Sequence, residues 1–376
     1  MRQVLFEIPF LHIPVFGYGV MLFVAIYVSM WLAGKRAAKN GGTEEMVHDA
    51  AFWLVISGIL GARLFYVFQY HDQFEGFWDF FTIWRGGLVV YGSLIGGLVG
   101  FLIYTWRYKI PRLWFADILG PSVILGMAIG RIGCLLNGCC YGDYCPAPWG
   151  LSFPPGSAPH HRLVTRGYQS RLGFVVSAET LRVIAVEPGT PAEKSGLQVG
   201  DRVESVNAFA TSSPSELALA LRTAGVKAEQ WERAKEDVEL AFAGAEPFQL
   251  VVRRAEDSSS APGQGRELSM TFRPAPTLPL HPTQVYDAIS NLCLFAFLWV
   301  YYPRRRCDGE VIALMAMGYS VTRFLVEFLR FDESPLFDGL TISQNLSVVM
   351  LLVGLIVWVA IRGSGTAPSL RVAAAR

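Results

Sequence analysis

Seven apolar runs, each close to the length that a bilayer core demands, set the terms for this chain: residues 15–33, 50–68, 88–106, 113–138, 284–302, 311–329 and 343–361. Runs this long cross lipid only as helices, because a helix pairs its own backbone donors and acceptors. The composition agrees, with 52% apolar residues, above the soluble average. The first run has its charges after it (Lys35, Arg36, Lys39) and no small-residue cleavage site. It therefore reads as a retained span, not a removable leader. A formal net charge of +1 gives no case for a nucleic-acid partner.

Basic residues follow every second run: Lys35, Arg36 and Lys39, then Arg107, Lys109 and Arg112, then Arg304, Arg305 and Arg306, then Arg362. The intervening loops are acidic or mixed, with His71, Asp72, Glu75 and Asp79 in one and Asp332, Glu333 and Asp338 in the other. Lysine and arginine mark the cytoplasmic side. The expected topology of this inner-membrane chain puts the N-terminus and the 143–280 insert outside and the C-terminus in the cytoplasm. The expected fold is a mainly α polytopic membrane protein with seven transmembrane helices and one small inserted α+β domain. Its parts are residues 1–142 (four spans), 143–280 (insert), 281–362 (three spans) and a tail, 363–376. The glycines of the third run (Gly92, Gly96, Gly97, Gly100) should let it approach a neighbouring helix closely.

Six cysteines occur, four of them between Cys134 and Cys145. Without a second well-spaced ligand pair they read as small apolar fillers at a helix end, ahead of a metal site or a disulfide. No metal is assigned.

Within the insert, residues 182–207 run from an apolar-alternating strand through Pro188-Gly189 into a short helix at Pro191-Ala192, then past Gly196 to a Gly200-Asp201 turn and a second strand. This pattern resembles a PDZ domain, spanning about 160–275. In that family a loop like Leu172-Gly173-Phe174 holds a peptide C-terminus on backbone N–H groups while the peptide adds a strand. The resemblance further implies a helix from Pro214 to Ala224 and closing strands at Phe248–Arg254 and Glu267–Arg273. Residues 228–243 read as an additional helix and 256–266 as a loop. A covering domain with no bound peptide fits the insert equally well.

Polar groups recur at one expected membrane face: Tyr18, Arg63, Arg85 to Gly92 with Tyr91 inside it, Arg131, Asn137, Gly142, His281, Tyr286, Tyr319, Arg323 and Glu327. A charged arginine at mid-bilayer costs roughly 2.5–3.5 kcal/mol on insertion scales, so it comes with a partner. Arg323 and Glu327 are four apart and can pair on one helix face. Three intramembrane arginines exceed what Glu327 alone neutralises, which leaves cation to hold an anionic lipid phosphate.

Four motifs then carry a family resemblance: Gly86-Gly87-Leu88-x-x-Tyr91-Gly92, Gly130-Arg131-Ile132-Gly133 to Asn137-Gly138, His281-Pro282-Thr283-Gln284-x-Tyr286, and Gly318-Tyr319 through Arg323 and Glu327 to Arg330. Together they resemble prolipoprotein diacylglyceryl transferase over about 10–150 and 280–362. The resemblance implies transfer of the diacylglyceryl group of phosphatidylglycerol to the lipobox cysteine of a prolipoprotein, with glycerol phosphate released and no cofactor. The prolipoprotein signal peptide and lipobox would be the partner. The chain departs from the commoner pattern: Tyr91 replaces a histidine, Cys134 an asparagine and Cys139 a glutamate, which leaves the general base open. On this reading Arg131 and Arg323 hold the phosphate, and Asn137 and Tyr319 bond the headgroup. Glu327 orients Arg323, and Tyr91 positions or deprotonates the thiol. Gly142, Tyr18, Arg63, His281 and Tyr286 join the substrate-binding set. Tyr91 as a membrane-interface aromatic and His281 as a loop residue ahead of a helix are the plainer readings. Two other functions are weighed: a lipid-binding scaffold that has lost catalysis, and an intramembrane protease. The protease lacks His-Glu-x-x-His and is left with Ser320 as a nucleophile and His281 as its base.

Overall fold

The computed structural model describes residues 4–8, 13–71, 87, 89–154, 157–165, 173–177, 180–188, 190–206, 209–213, 216–217, 220, 248–253, 270–272, 276–330 and 339–363. The chain divides into two compact units. The larger takes residues 4–134, 284–328 and 333–376; the smaller takes 1–3, 135–283 and 329–332.

The larger unit opens on an antiparallel hairpin, β1 (Val4–Ile8) with β2 (Ile13–Phe16). Long helices follow: α1 (Gly17–Lys39), α2 (Glu44–Gln69), α3 (Val90–Arg107) and α4 (Arg112–Asn137). After the smaller unit come Thr283–Tyr301, Glu310–Glu327 and Ile342–Gly363. Among the described residues, α1, α2, α4 and the first and last of these three are long and apolar enough to cross a membrane by length and composition. Their outward side chains are large and greasy: Phe23 is 71% exposed and Phe68 83%. In water such a surface would aggregate; against lipid it costs nothing.

The expected seam of small residues exists between α2 and α3, with one correction. A methyl group added at Gly92, Gly96 or Gly100 would land on the Gly61 carbonyl, the Ser57 carbonyl or the Ser57 hydroxyl. Gly97 has open space where its side chain would be, so it lies off the seam. α1 runs antiparallel to α4. Tyr18 Cδ2 lies 3.3 Å from where a Gly133 Cβ would sit, Ser29 Oγ donates to the Ser122 carbonyl at 2.9 Å, and Arg36 reaches the Ile118 carbonyl. This register defines two ends. One holds Tyr18 and Arg131; the other, about 27 Å along α1 at 1.5 Å per residue, holds Arg36.

The smaller unit contains α5 (Ala158–Thr165), a helix that the sequence does not announce. β3 (Phe174–Val176) pairs with β4 (Val183–Val186), and the short α6 (Pro191–Lys194) follows. A four-stranded antiparallel sheet runs in the order β6 (Phe209–Ala210), β5 (Arg202–Val206), β7 (Phe248–Arg253), β8 (Met270–Phe272). One core of Phe174, Leu181, Val183, Ala192, Leu197, Val203, Val206, Leu217, Leu250 and Val252 fills this part. The three remaining helices of the larger unit are numbered α7 (Thr283–Tyr301), α8 (Glu310–Glu327) and α9 (Ile342–Gly363).

Candidate functional site

The polar residues read from the sequence fall into groups within each unit. In the larger unit, Arg131 lies two turns before the end of α4, and its Nη2 sits 3.1 Å from Asp287 Oδ2 in the first turns of α7. Both side chains are mostly buried, at 16% and 6% exposure. At this depth the carboxylate is worth far more than on a surface, since an unpaired buried charge is strongly disfavoured.

The second group joins α8 to α9. Arg323 Nη1 lies 2.7 Å from Glu327 Oε2, as the four-residue spacing requires. Arg323 Nη2 also donates to Ser343 Oγ at 3.0 Å. The Thr341 hydroxyl donates to Glu327 Oε1 at 3.3 Å, and Gln344 accepts the Thr341 amide at 3.0 Å. The Glu327 carboxylate thus ties the end of one helix to the start of the next. Tyr319 lies one turn before Arg323 and packs against the bundle core. Two of the guanidiniums therefore have their own carboxylates.

The third group is Arg63, 3% exposed near the end of α2. Its Nη1 donates to the Gly87 carbonyl at 3.1 Å, and its guanidinium stacks on Tyr66 at 5.4 Å. Gly87 has φ +79°, and a Cβ there would lie 2.7 Å from Arg63 Nη1. Only glycine lets the backbone pass over the guanidinium. This refines the sequence reading: Arg131 and Arg323 each face a carboxylate, and Arg63 bonds a carbonyl and lies over a ring. With Asp287 beside Glu327, two carboxylates face three guanidiniums, so the excess at these residues is one cation, smaller than Glu327 alone would leave. The signal was available, since Asp287 is an acidic residue inside the fifth apolar run directly after Tyr286.

Tyr91 sits in the first turn of α3, partly buried, and makes no hydrogen bond or ion pair among the described residues. Tyr18 is 41% exposed at the start of α1, and Tyr286 is partly buried in the first turn of α7. Ser320 is 2% exposed within α8, and its hydroxyl has no partner among the described residues. A catalytic serine needs a base within reach.

In the smaller unit, Asn137 ends α4, and Gly142 and His281 are bound through their backbones. The Gly142 amide donates to the His281 carbonyl at 2.8 Å, and the His281 amide to the Asp143 carbonyl at 2.9 Å. The Asp143 amide in turn donates to the Leu329 carbonyl at 2.9 Å, and Thr283 Oγ1 to the Cys140 carbonyl at 2.6 Å. A side chain at Gly142 would strike the Leu329 carbonyl, His281 Cβ and Thr283 Cγ2. Glycine is needed there for close packing of three segments. Leu172 and most of 214–224, 228–243 and 256–266 lie outside the described residues. Gly173 has φ +82°, and its carbonyl accepts the Glu187 amide at 2.8 Å; Phe174 is 3% exposed in the core.

The fold and these clusters define a polytopic helical membrane protein with arginine–carboxylate pairs buried at one end of its bundle. The prolipoprotein diacylglyceryl transferase family model matches residues 3–198 and 230–360, and the chain belongs to that family. A PDZ domain model matches residues 182–228. A phosphatidylglycerol–prolipoprotein diacylglyceryl transferase of Rhodopirellula baltica is 30% identical over 92% of this chain and 72% of its own length. Its counterpart in Clostridium tetani is 24% identical over 95% of this chain and 97% of its own. That of Acaryochloris marina is 38% identical over 38% of this chain and 52% of its own.

Proposed function

We propose that this chain transfers the diacylglyceryl group of phosphatidylglycerol to the lipobox cysteine of prolipoproteins in the bacterial inner membrane. All seven long helices cross the bilayer, with the PDZ-like insert and the N-terminus outside and the C-terminus in the cytoplasm. In the reaction the cysteine thiol loses its proton, and the sulfur forms a bond to the terminal glycerol carbon of the diacylglyceryl group. The carbon–oxygen bond to phosphate breaks, and its electron pair leaves with glycerol phosphate.

Two demands follow. The departing phosphate gathers charge and needs preorganised donors, and the thiol must ionise. Arg131 and Arg323 meet the first. Their carboxylate partners hold the two guanidiniums in fixed geometry while some N–H donors stay available, for a guanidinium carries five. Asn137 and Tyr319 bond the headgroup, with Tyr18, Arg63, Gly142, His281 and Tyr286 around it. Tyr91 faces the thiol. A tyrosine titrates near 10 in water, so it acts as a base only beside a cation. The PDZ-like groove takes the C-terminus of a peptide. The observation that carries this reading is the pair of buried guanidinium–carboxylate contacts at helix ends, in a chain of this family.

The test is conversion of a lipobox peptide in phosphatidylglycerol vesicles, with the thioether product followed by mass. Arg131→Ala or Arg323→Ala should lower the rate by about a hundredfold or more, the scale of losing one preorganised charge donor. Full rate in either variant refutes the phosphate assignment.

A further inference from the structure

The end of the larger unit opposite Arg131 carries its own charges, and its buried ones other than Arg36 face an opposite charge. Asp117, fully buried, accepts the Gly309 and Ile312 amides at 2.8 and 2.9 Å and so caps the start of α8. Arg305 lies 3.8 Å from both Asp117 and Asp308. Arg362 Nε donates to Glu310 Oε1 at 2.8 Å. Lys35 pairs with Glu44 at 2.8 Å.

Arg36 is the exception. It is 7% exposed, yet among the described residues it meets no carboxylate. Its guanidinium lies over two aromatic faces, 4.5 Å from the Trp299 ring and 4.7 Å from the Tyr302 ring. Its hydrogen bond among the described residues is a long one, 3.4 Å to the Ile118 carbonyl. It lines a cavity of about 290 Å³ together with Lys35, Lys39, Asn40, Trp299 and Tyr302. Lys39 makes no ion pair among the described residues. Asn40 Nδ2 is anchored on the Arg36 carbonyl at 2.7 Å.

Basic residues in the last turn of a helix are ordinary, since they complement its dipole, and they fit a cytoplasmic membrane surface. Those reasons cover an exposed lysine. They do not cover a guanidinium buried against two rings without an anion, because a desolvated charge needs compensation that ring faces supply only in part. A small basic cavity at helix ends, walled by tryptophan and tyrosine, matches the basic pockets between membrane helices that hold phospholipid headgroups.

We infer that the cavity formed by Arg36, Lys39, Trp299 and Tyr302 binds the phosphodiester headgroup of an anionic phospholipid in the leaflet opposite the Arg131 end. The guanidinium offers a forked pair of donors to the phosphate oxygens, Lys39 adds a second charge, and the rings flank the glycerol. The bound lipid is structural: its headgroup sits about 20 Å from Arg131 by the rise of α4 between Ile118 and that residue.

The experiment uses the purified full chain carrying Arg131→Ala, which weakens the site proposed for catalysis, in mixed micelles of neutral detergent. Phosphatidylglycerol or phosphatidylcholine is titrated in, and bound lipid is counted by native mass spectrometry. Phosphatidylglycerol should be retained and phosphatidylcholine not. Arg36→Gln and Lys39→Gln should each weaken retention about fivefold, the scale of one cation near a lipid phosphate. If Arg36→Gln does not fold, the exposed Lys39→Gln decides. In the otherwise native chain, Lys39→Gln should leave lipobox conversion unchanged. Equal retention in Lys39→Gln overturns the inference. So does displacement of the lipid by millimolar inorganic phosphate, which would make the ligand a free anion.

Discussion

Removing Asp287 tests how the bundle holds Arg131, the cation proposed to bind the phosphate. In Asp287→Ala the Arg131 guanidinium keeps its place in α4 but loses the carboxylate 3.1 Å away. The carboxylate is 6% exposed, so water does not replace it at full strength. A hydrogen bond to a charged group contributes about 1.5–3 kcal/mol. Leaving one buried charge without its partner costs about 3–5 kcal/mol in soluble proteins. Part of that appears as lost thermal stability and part as a misplaced phosphate clamp. For the rate we expect a fall in kcat/KM of about 10- to 150-fold, the kinetic equivalent of the lower range. The assay is lipobox conversion with stability followed in parallel, on Asp287→Ala, Arg131→Ala and the double variant. If Asp287 acts only through Arg131, the double variant should be no slower than Arg131→Ala, because the two changes remove one interaction. Asp287→Glu should recover part of the rate. Multiplicative losses in the double variant would refute the positioning role, since they would mean that Asp287 meets the substrate independently.

Tyr91→Phe separates phenol chemistry from packing: a rate loss of at least about tenfold with unchanged melting is expected if the hydroxyl handles the thiol proton, and full rate excludes it. Gly96→Ala should lower the melting temperature, because its methyl would meet the Ser57 carbonyl and force α2 and α3 apart, at about 1–3 kcal/mol. Gly97→Ala, with open space at that position, should be neutral or slightly stabilising in the same thermal scan, since alanine favours helix. Glu327→Gln should impair conversion less than Glu327→Ala, because the amide still accepts the Thr341 hydroxyl while losing the charge that faces Arg323.

Much of the helical framework was legible in the chain because it rests on local physics. An apolar run of bilayer length has one way to satisfy its backbone, so the described helices fall within a few residues of the segments read from composition. The Arg323–Glu327 pair was legible for the same reason: four residues along a helix is one turn, whatever surrounds it. Strands β4 and β5 declared themselves through alternation and turn glycines, and β7 through the PDZ resemblance. The small helix α5 did not, since eight residues of mixed polarity carry no periodic signal.

The partner of Arg131 was decided only by the tertiary structure. Asp287 lies beyond the entire insert, and nothing local says that the start of α7 meets the end of α4. The same holds for Arg63, whose charge is met by a backbone carbonyl that no residue type announces, and for Gly97, which composition alone could not separate from Gly96. Sequence determined which segments could sit in lipid and which charges would need company there. Which group supplies that company depends on how helices distant in the chain come to lie side by side, because ion pairing acts over a few ångströms of space and is blind to distance along the backbone.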